Sequence, residues 1–303
     1  MSSWQNGMVK NKLHLTIPTY KSGTLDLVMQ EKSTTFFICI RSAFKVIHMK
    51  KHIFTCLTLA MVISSTALFA QTKAIAHRGV WKNSHLPQNS IASLKAAHQL
   101  KLFGSEFDVH LTKDNILVVN HDNDFYGIDI ATATYQELLA KKHPNGESIP
   151  TLEEYITAGK KLKGLRLILE LKTNKLGVER TLEAATKAVE MVKALKAEKI
   201  TDYIAFSFEA CQKIHELAPK ANIQYLNGDK SPADVHAAGI NGLDYHYSVF
   251  KKNANWLQDA HKLGMKVNAW TVNTAEEMHN LIGQKIDFIT TDEPELLLQE
   301  LKK

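Results

Sequence analysis

In Ser105-Glu106-Phe107-Asp108-Val109-His110 polar and apolar side chains alternate, and the same alternation returns in Leu167-Ile168-Leu169-Glu170-Leu171-Lys172. Successive side chains of a β-strand point to opposite faces, so a period of two puts Glu106, Asp108 and His110 on one face and Phe107 and Val109 on the other. By the same rule Glu170 and Lys172 share a face with Ile168, opposite three leucines. Three carboxylates gathered inside a fold lose hydration and repel one another, so either they take up protons or a cation sits among them. Oxygen-only ligands suit one hard divalent cation, Mg2+ or Ca2+. The competing reading is a structural network in which Lys172 and Arg78 neutralise the acids.

Two imidazoles accompany these groups. The run Lys73–Ala76 leads into His77-Arg78-Gly79, and His121 closes Val118-Val119-Asn120-His121. A histidine pair can supply the acid and the base for displacement at phosphorus, and a guanidinium holds a phosphate in a fixed fork. Trp270 ends another apolar run, where its ring can stack on a ligand's carbons or a cation, or serve as barrel packing.

These residues need a frame that gathers strand ends. Eight strands are expected, at 73–77, 105–111, 166–172, 203–208, 222–226, 242–247, 266–272 and 287–291, with helix-like segments such as 90–101, 151–161, 178–198 and 275–282 between them. Strands alternating with helices predict a parallel sheet. Eight such units fit the usual ~250 residues of a single (β/α)8, TIM-type barrel, whose chemistry collects at the strand C-termini. No Gly-rich dinucleotide fingerprint follows the first strand, which argues against an open doubly wound sheet. A ninth run, 116–121, follows the second strand after only four residues. That is too short for a parallel crossover and predicts an antiparallel hairpin.

The formal charge of +6 belongs to the first seventy residues, which hold eight basic and two acidic side chains. Residues 71–303 balance formally to zero, so no basic surface points to a nucleic-acid partner. Two of the three cysteines, Cys39 and Cys56, lie in the same leader; Cys211 alone in the body excludes an intrachain disulfide there. Met49-Lys50-Lys51-His52 before the uncharged stretch 53–70 has the form of a bacterial signal peptide. The expected organisation is a non-native or untranslated extension over 1–48, a signal peptide over 49–70 and one barrel domain over 71–303, periplasmic or secreted. An uncleaved membrane anchor is the alternative; after cleavage no stable membrane span is expected.

Taken in order, His77-Arg78, Glu106-x-Asp108, His121 and Glu170-Leu171-Lys172 resemble the signature of the glycerophosphodiester phosphodiesterase family, within the phospholipase-C-like phosphodiesterase barrels. Pro87-x-Asn89-Ser90, Leu111-Thr112-Lys113-Asp114, Ser207-Phe208, Trp270-Thr271-Val272-Asn273 and Thr291-Asp292-x-Pro294 extend the likeness over roughly 73–297. The resemblance implies that Glu106, Asp108 and Glu170 bind the cation, that His77 and His121 are the acid/base pair, and that Arg78 and Lys172 hold the phosphate. It implies a small glycerophosphodiester as substrate, cleaved to glycerol 3-phosphate and an alcohol. Two departures stand out: Gln88 replaces the family's usual acidic residue, and its Arg-Thr-Thr run after His121 is absent. Two alternatives follow, a sphingomyelinase D-like phospholipase acting on intact lipids and a non-catalytic periplasmic binder of phosphorylated polyols.

Overall fold

The computed structural model describes residues 71–303; the expected extension and signal peptide lie outside the described residues. Eight parallel strands close on themselves: β1 (Lys73–Ala76), β2 (Gly104–Leu111), β6 (Arg166–Leu171), β7 (Thr201–Ala205), β8 (Ile223–Tyr225), β9 (Gly242–His246), β10 (Lys266–Trp270) and β11 (Phe288–Thr291). Closure is made by β1, which pairs with β11 on one side and β2 on the other. Helices α1 (Ile91–Gln99), α3 (Leu152–Gly159), α4 (Val178–Ala194), α5 (Phe208–Leu217), α6 (Pro232–Ala237), α8 (Trp256–Lys262), α9 (Ala275–Gly283) and α10 (Pro294–Glu300) fall between or after the strands, with a short α7 (Tyr247–Lys252) after β9. This is the expected (β/α)8 barrel.

The alternation read from sequence decides which side chains face the helices. Phe107, outward from β2, stacks on Tyr155 of α3 with ring centroids 4.3 Å apart. Leu167, Leu169 and Leu171 of β6 lie fully buried or nearly so in the apolar layer they share with the helices. Gly159 lets α3 come close to β6, because a Cβ there would meet Leu167 Cδ1 at 2.8 Å. Inside the barrel Ile75, Ile168, Ile204 and Leu226 form a separate small cluster, so the interior is packed rather than hollow. Buried apolar area at about 25 cal/mol per Å2 makes these two layers the main source of stability.

The hairpin expected after β2 is present: β3 (Leu117–Val119) pairs antiparallel with β2, Val109 opposite Val119. Beyond it a two-stranded ribbon, β4 (Asp124–Phe125) and β5 (Ile128–Asp129), and the short helix α2 (Tyr135–Leu138) build a lobe. Val118, Phe125, Ile130, Leu138 and Ile149 give this lobe its own apolar core. Strand boundaries differ from expectation by one to three residues, most at the end of β7. The run expected to extend to Phe208 ends at Ala205, because Ser207 caps α5 by accepting a hydrogen bond from Ala210 N at 3.1 Å.

Candidate active site

Parallel register brings the acids together. Asp108 of β2 lies beside Glu170 of β6, and Glu106 stands two residues earlier on the same inward face. One oxygen from each of Glu106, Asp108 and Glu170 falls within 4.8 Å of the others, and all three residues are buried. Arg78 and Lys172 flank them. Lys172 Nζ is 3.2 Å from Asp108 Oδ1 and 2.8 Å from Glu170 Oε1, and Arg78 Nε is 3.7 Å from Asp108 Oδ2.

The pairing is incomplete. Glu106 Oε2 accepts from the Arg78 backbone N–H at 2.8 Å, but Glu106 Oε1 is buried without a hydrogen-bond partner, and Glu170 Oε1 meets Lys172 as an ion pair without hydrogen-bond alignment. Burial holds the Glu106 carboxyl well above its ordinary range, with the charges of Asp108 and Glu170 adding to it. Glu170 is pushed up to about 7 by burial and by Asp108. Asp108 is held below its ordinary value: burial raises it, but Lys172, His121, Arg78 and the Asn89 hydrogen bond outweigh that. A purely structural ion-pair network would satisfy its acids; this one leaves Glu106 Oε1 without a partner, and the donor set fits a hard divalent ion.

Both histidines stand at this cluster, each held by a carboxylate. His77 Nδ1 lies 2.8 Å from Asp292 Oδ1, and His121 Nδ1 lies 2.7 Å from Asp122 Oδ1. A carboxylate accepts, so each Nδ1 carries the ring proton and each Nε2 is left with a lone pair in the neutral imidazole. Asp292 is itself fixed by Asn273 Nδ2 at 2.8 Å and Trp81 Nε1 at 3.3 Å. Burial would raise its carboxyl, but the hydrogen bonds from His77, Asn273 and Trp81 and the charge on His77 bring it below the ordinary value. His121 is lowered, mainly by burial. His110, inward from β2 as expected, is not an acid/base candidate: its Nε2 pairs with His121 O at 3.1 Å and fixes the backbone there.

His77, Arg78, Glu106, His121, Glu170, Lys172 and Trp270 line one cavity of about 260 Å3 at the C-terminal mouth of the barrel, with Ile204, Phe206 and Leu226 on its apolar wall. Asp108 touches Arg78 and Lys172 from beneath it. Trp270 is held by its own Nε1 donating to Asp244 O at 2.9 Å and by edge contact with Phe206 at 5.6 Å. All eight predicted site residues therefore converge. The matching family model, the glycerophosphoryl diester phosphodiesterase family, spans residues 77–296. The chain belongs to this family. It is 30% identical to a glycerophosphodiester phosphodiesterase of Caldanaerobacter subterraneus over 248 residues, 77% of this chain and 99% of the relative. A crystal structure of a glycerophosphodiester phosphodiesterase from Parabacteroides distasonis is 48% identical with a TM-score of 0.75, covering 77% of this chain and 98% of the other. An Oleispira antarctica phosphodiesterase, solved with its product sn-glycerol-3-phosphate, is 25% identical with a TM-score of 0.65 over 77% and 98%. As a member of this phosphodiesterase family the chain is an enzyme that hydrolyses glycerophosphodiesters.

Residues at this site that sequence reasoning left without a role are Asn89, Asp292 and Asp244. Asn89 is 1% exposed, donates Nδ2–H to Asp108 Oδ2 at 2.8 Å and accepts Asp108 N–H at 3.1 Å. It sits at φ 60°, and Arg78 at φ 58°; an Asn tolerates that left-handed backbone better than most residues. Asn89 and Asp292 both lay within quoted motifs, so their positions were visible and only their partners were not.

Proposed function

We propose that His77 and His121 act as an acid/base pair in metal-assisted hydrolysis of a glycerophosphodiester to glycerol 3-phosphate and an alcohol. The observation that carries this reading is the single cavity in which two imidazoles, each with Nδ1 held by a carboxylate, stand with the under-paired acids Glu106 and Glu170 beside Arg78 and Lys172. Glu106, Asp108 and Glu170 would hold one divalent cation, Mg2+ or Ca2+, which supplies neutralisation of charge on a phosphoryl oxygen. Arg78 and Lys172 bind the remaining phosphoryl oxygens and oppose the charge that grows on them. One imidazole, entering neutral, takes at Nε2 a proton from the attacking water as its oxygen bonds to phosphorus; the other, entering as the imidazolium, gives its Nε2 proton to the departing alcohol as the P–O bond to that alcohol breaks. Gln88 accepts from Arg78 Nη1 at 2.7 Å, so it orients the guanidinium without neutralising it. Trp270, with Phe206 and Leu226, presents an apolar wall to the glycerol carbons.

The reading also includes export: Met49 as initiator, a signal peptide over 49–70 and a periplasmic or secreted enzyme. Among the described residues no helix is long and apolar enough to cross a membrane. Peptides upstream of Met49 in the natively expressed protein, seen by mass spectrometry, would refute the start site. The activity is tested by glycerol 3-phosphate release from glycerophosphocholine and glycerophosphoethanolamine in EDTA, Mg2+ and Ca2+. Release abolished by EDTA and restored by one ion supports the reading and selects the metal. Release unaffected by EDTA would overturn the cation's role.

A further inference from the structure

A second cleft, of about 420 Å3, lies across His121 from the cavity just described, and His121 lines both. It runs between the turn that carries Gln88 and Asn89 and the lobe built by β4 and β5. A diester whose phosphate rests on Arg78 and Lys172 has two substituents to place. The central cavity offers one of them the apolar wall of Ile204, Phe206, Leu226 and Trp270; the cleft is the neighbouring space for the other.

The chemistry of the two spaces differs. No Lys or Arg lines the cleft, whereas Asp122 and Asp124 both do, together with the half-exposed ring of Tyr126. Asp124 Oδ1 accepts from Gly127 N at 2.7 Å, and its carboxylate makes no ion pair among the described residues. His143, on the cleft wall, is only 7% exposed, yet its buried Nε2 has no hydrogen-bond partner. Its Nδ1 is engaged by Tyr126 Oη at 3.1 Å. With Tyr126 donating, Nε2 carries the ring proton, and the Tyr126 hydroxyl is anchored to the cleft wall through Nδ1.

We propose that this cleft is the subsite for the alcohol half of the diester, and that Asp124 and the Tyr126 ring make it select a cationic amino alcohol over a neutral polyol. The inference rests on the hydrolytic reading above. A quaternary ammonium is attracted by an aromatic face and by a carboxylate at once, without needing a hydrogen-bond donor of its own, and a neutral polyol gains neither. The arrangement matches a zwitterion, with the phosphate on the cationic groups and the ammonium on the acidic, aromatic side of His121.

The test is steady-state hydrolysis of glycerophosphocholine and glycerophosphoglycerol by the full chain and by Asp124→Asn, Tyr126→Ala and Tyr126→Phe. We expect kcat/KM to favour the choline diester, and Tyr126→Ala to cut it about tenfold through KM while glycerophosphoglycerol changes less than about twofold. Asp124→Asn, which keeps the acceptor for Gly127 N–H, should act in the same direction. Tyr126→Phe keeps the ring and should keep the preference. Equal losses on both diesters, or no loss on either, would overturn the subsite while leaving the hydrolytic reading intact. No release from either diester by the unaltered protein would overturn the hydrolytic reading, and the subsite with it.

Discussion

The two ends of this barrel solve the burial of charge in opposite ways. At the N-terminal end Arg166 and Asp202 form a forked pair: Arg166 Nε donates to Asp202 Oδ2 at 2.7 Å, and Nη2 donates to Oδ1. Arg166 Nη1 reaches Lys199 O at 2.7 Å, and Asn222 Nδ2 donates to Asp202 Oδ1 at 2.7 Å. Phe103 and Phe288 stack beside them with centroids 5.0 Å apart. At the C-terminal end three acids meet two cations, and Glu106 Oε1 remains without a hydrogen-bond partner. The same eight strands thus carry an end where the buried charges are paired and an end where the acids are under-satisfied. Like charges held together without full pairing are affordable only where a ligand completes them.

The largest effect should come from Glu106→Ala or Asp108→Ala. Metal-dependent turnover should fall by about a thousandfold, in line with removing charge stabilisation of a transition state. For Glu106→Ala the thermal midpoint in EDTA should stay at or above that of the unaltered protein, because one of three repelling acids is gone. A marked drop in midpoint would show that the cluster is structural. His121→Ala should reduce kcat by about a hundredfold while calorimetric cation binding persists. Unchanged turnover would remove His121 from the reaction.

At the other end the same logic inverts. Asp202→Ala leaves the Arg166 guanidinium without its carboxylate and should cost about 3 kcal/mol in urea denaturation. Its kcat/KM, measured where the protein remains folded, should stay within about twofold, since the change is confined to the opposite end of the barrel. A large loss of activity with little loss of stability would contradict the division of labour between the two ends.

Much of the C-terminal end was legible because a strand's period of two is a local property. Glu106, Asp108 and Glu170 announce an inward polar face from a few residues each, and His77-Arg78 follows the first apolar run. Eight β/α units announce the barrel in the same way. What local pattern could not carry is register and distant pairing. That Asp108 stands beside Glu170 follows from β2–β6 register, and His77 is oriented by Asp292, 215 residues away in sequence. Asn89 acts through a reciprocal pair of hydrogen bonds to Asp108 that no spacing rule encodes. The β4–β5 lobe has only two residues in each strand, too few for any period to show, yet its apolar core makes it a defined wall of the cleft beside His121.

Between the two ends lies Asp244, inward on β9, 1% exposed and with Oδ1 unpartnered. Burial, the largest cause, and the charge of Glu170 push its carboxyl up to about 7, against a hydrogen bond from Asn268 that lowers it. The folded protein therefore holds this proton over a range in which the unfolded chain, near the ordinary carboxylate value, has already lost it. Where the folded state binds more protons, stability falls as pH rises, so this group erodes stability between about pH 4 and pH 7. Asp244→Asn has no such proton to lose. In EDTA it should flatten the stability profile across that window and gain at least about 1 kcal/mol at pH 8, read by urea denaturation at a series of pH values. An unaltered slope would mean that Asp244 ionises inside the barrel at little cost, and that under-satisfaction begins only at Glu106, Asp108 and Glu170.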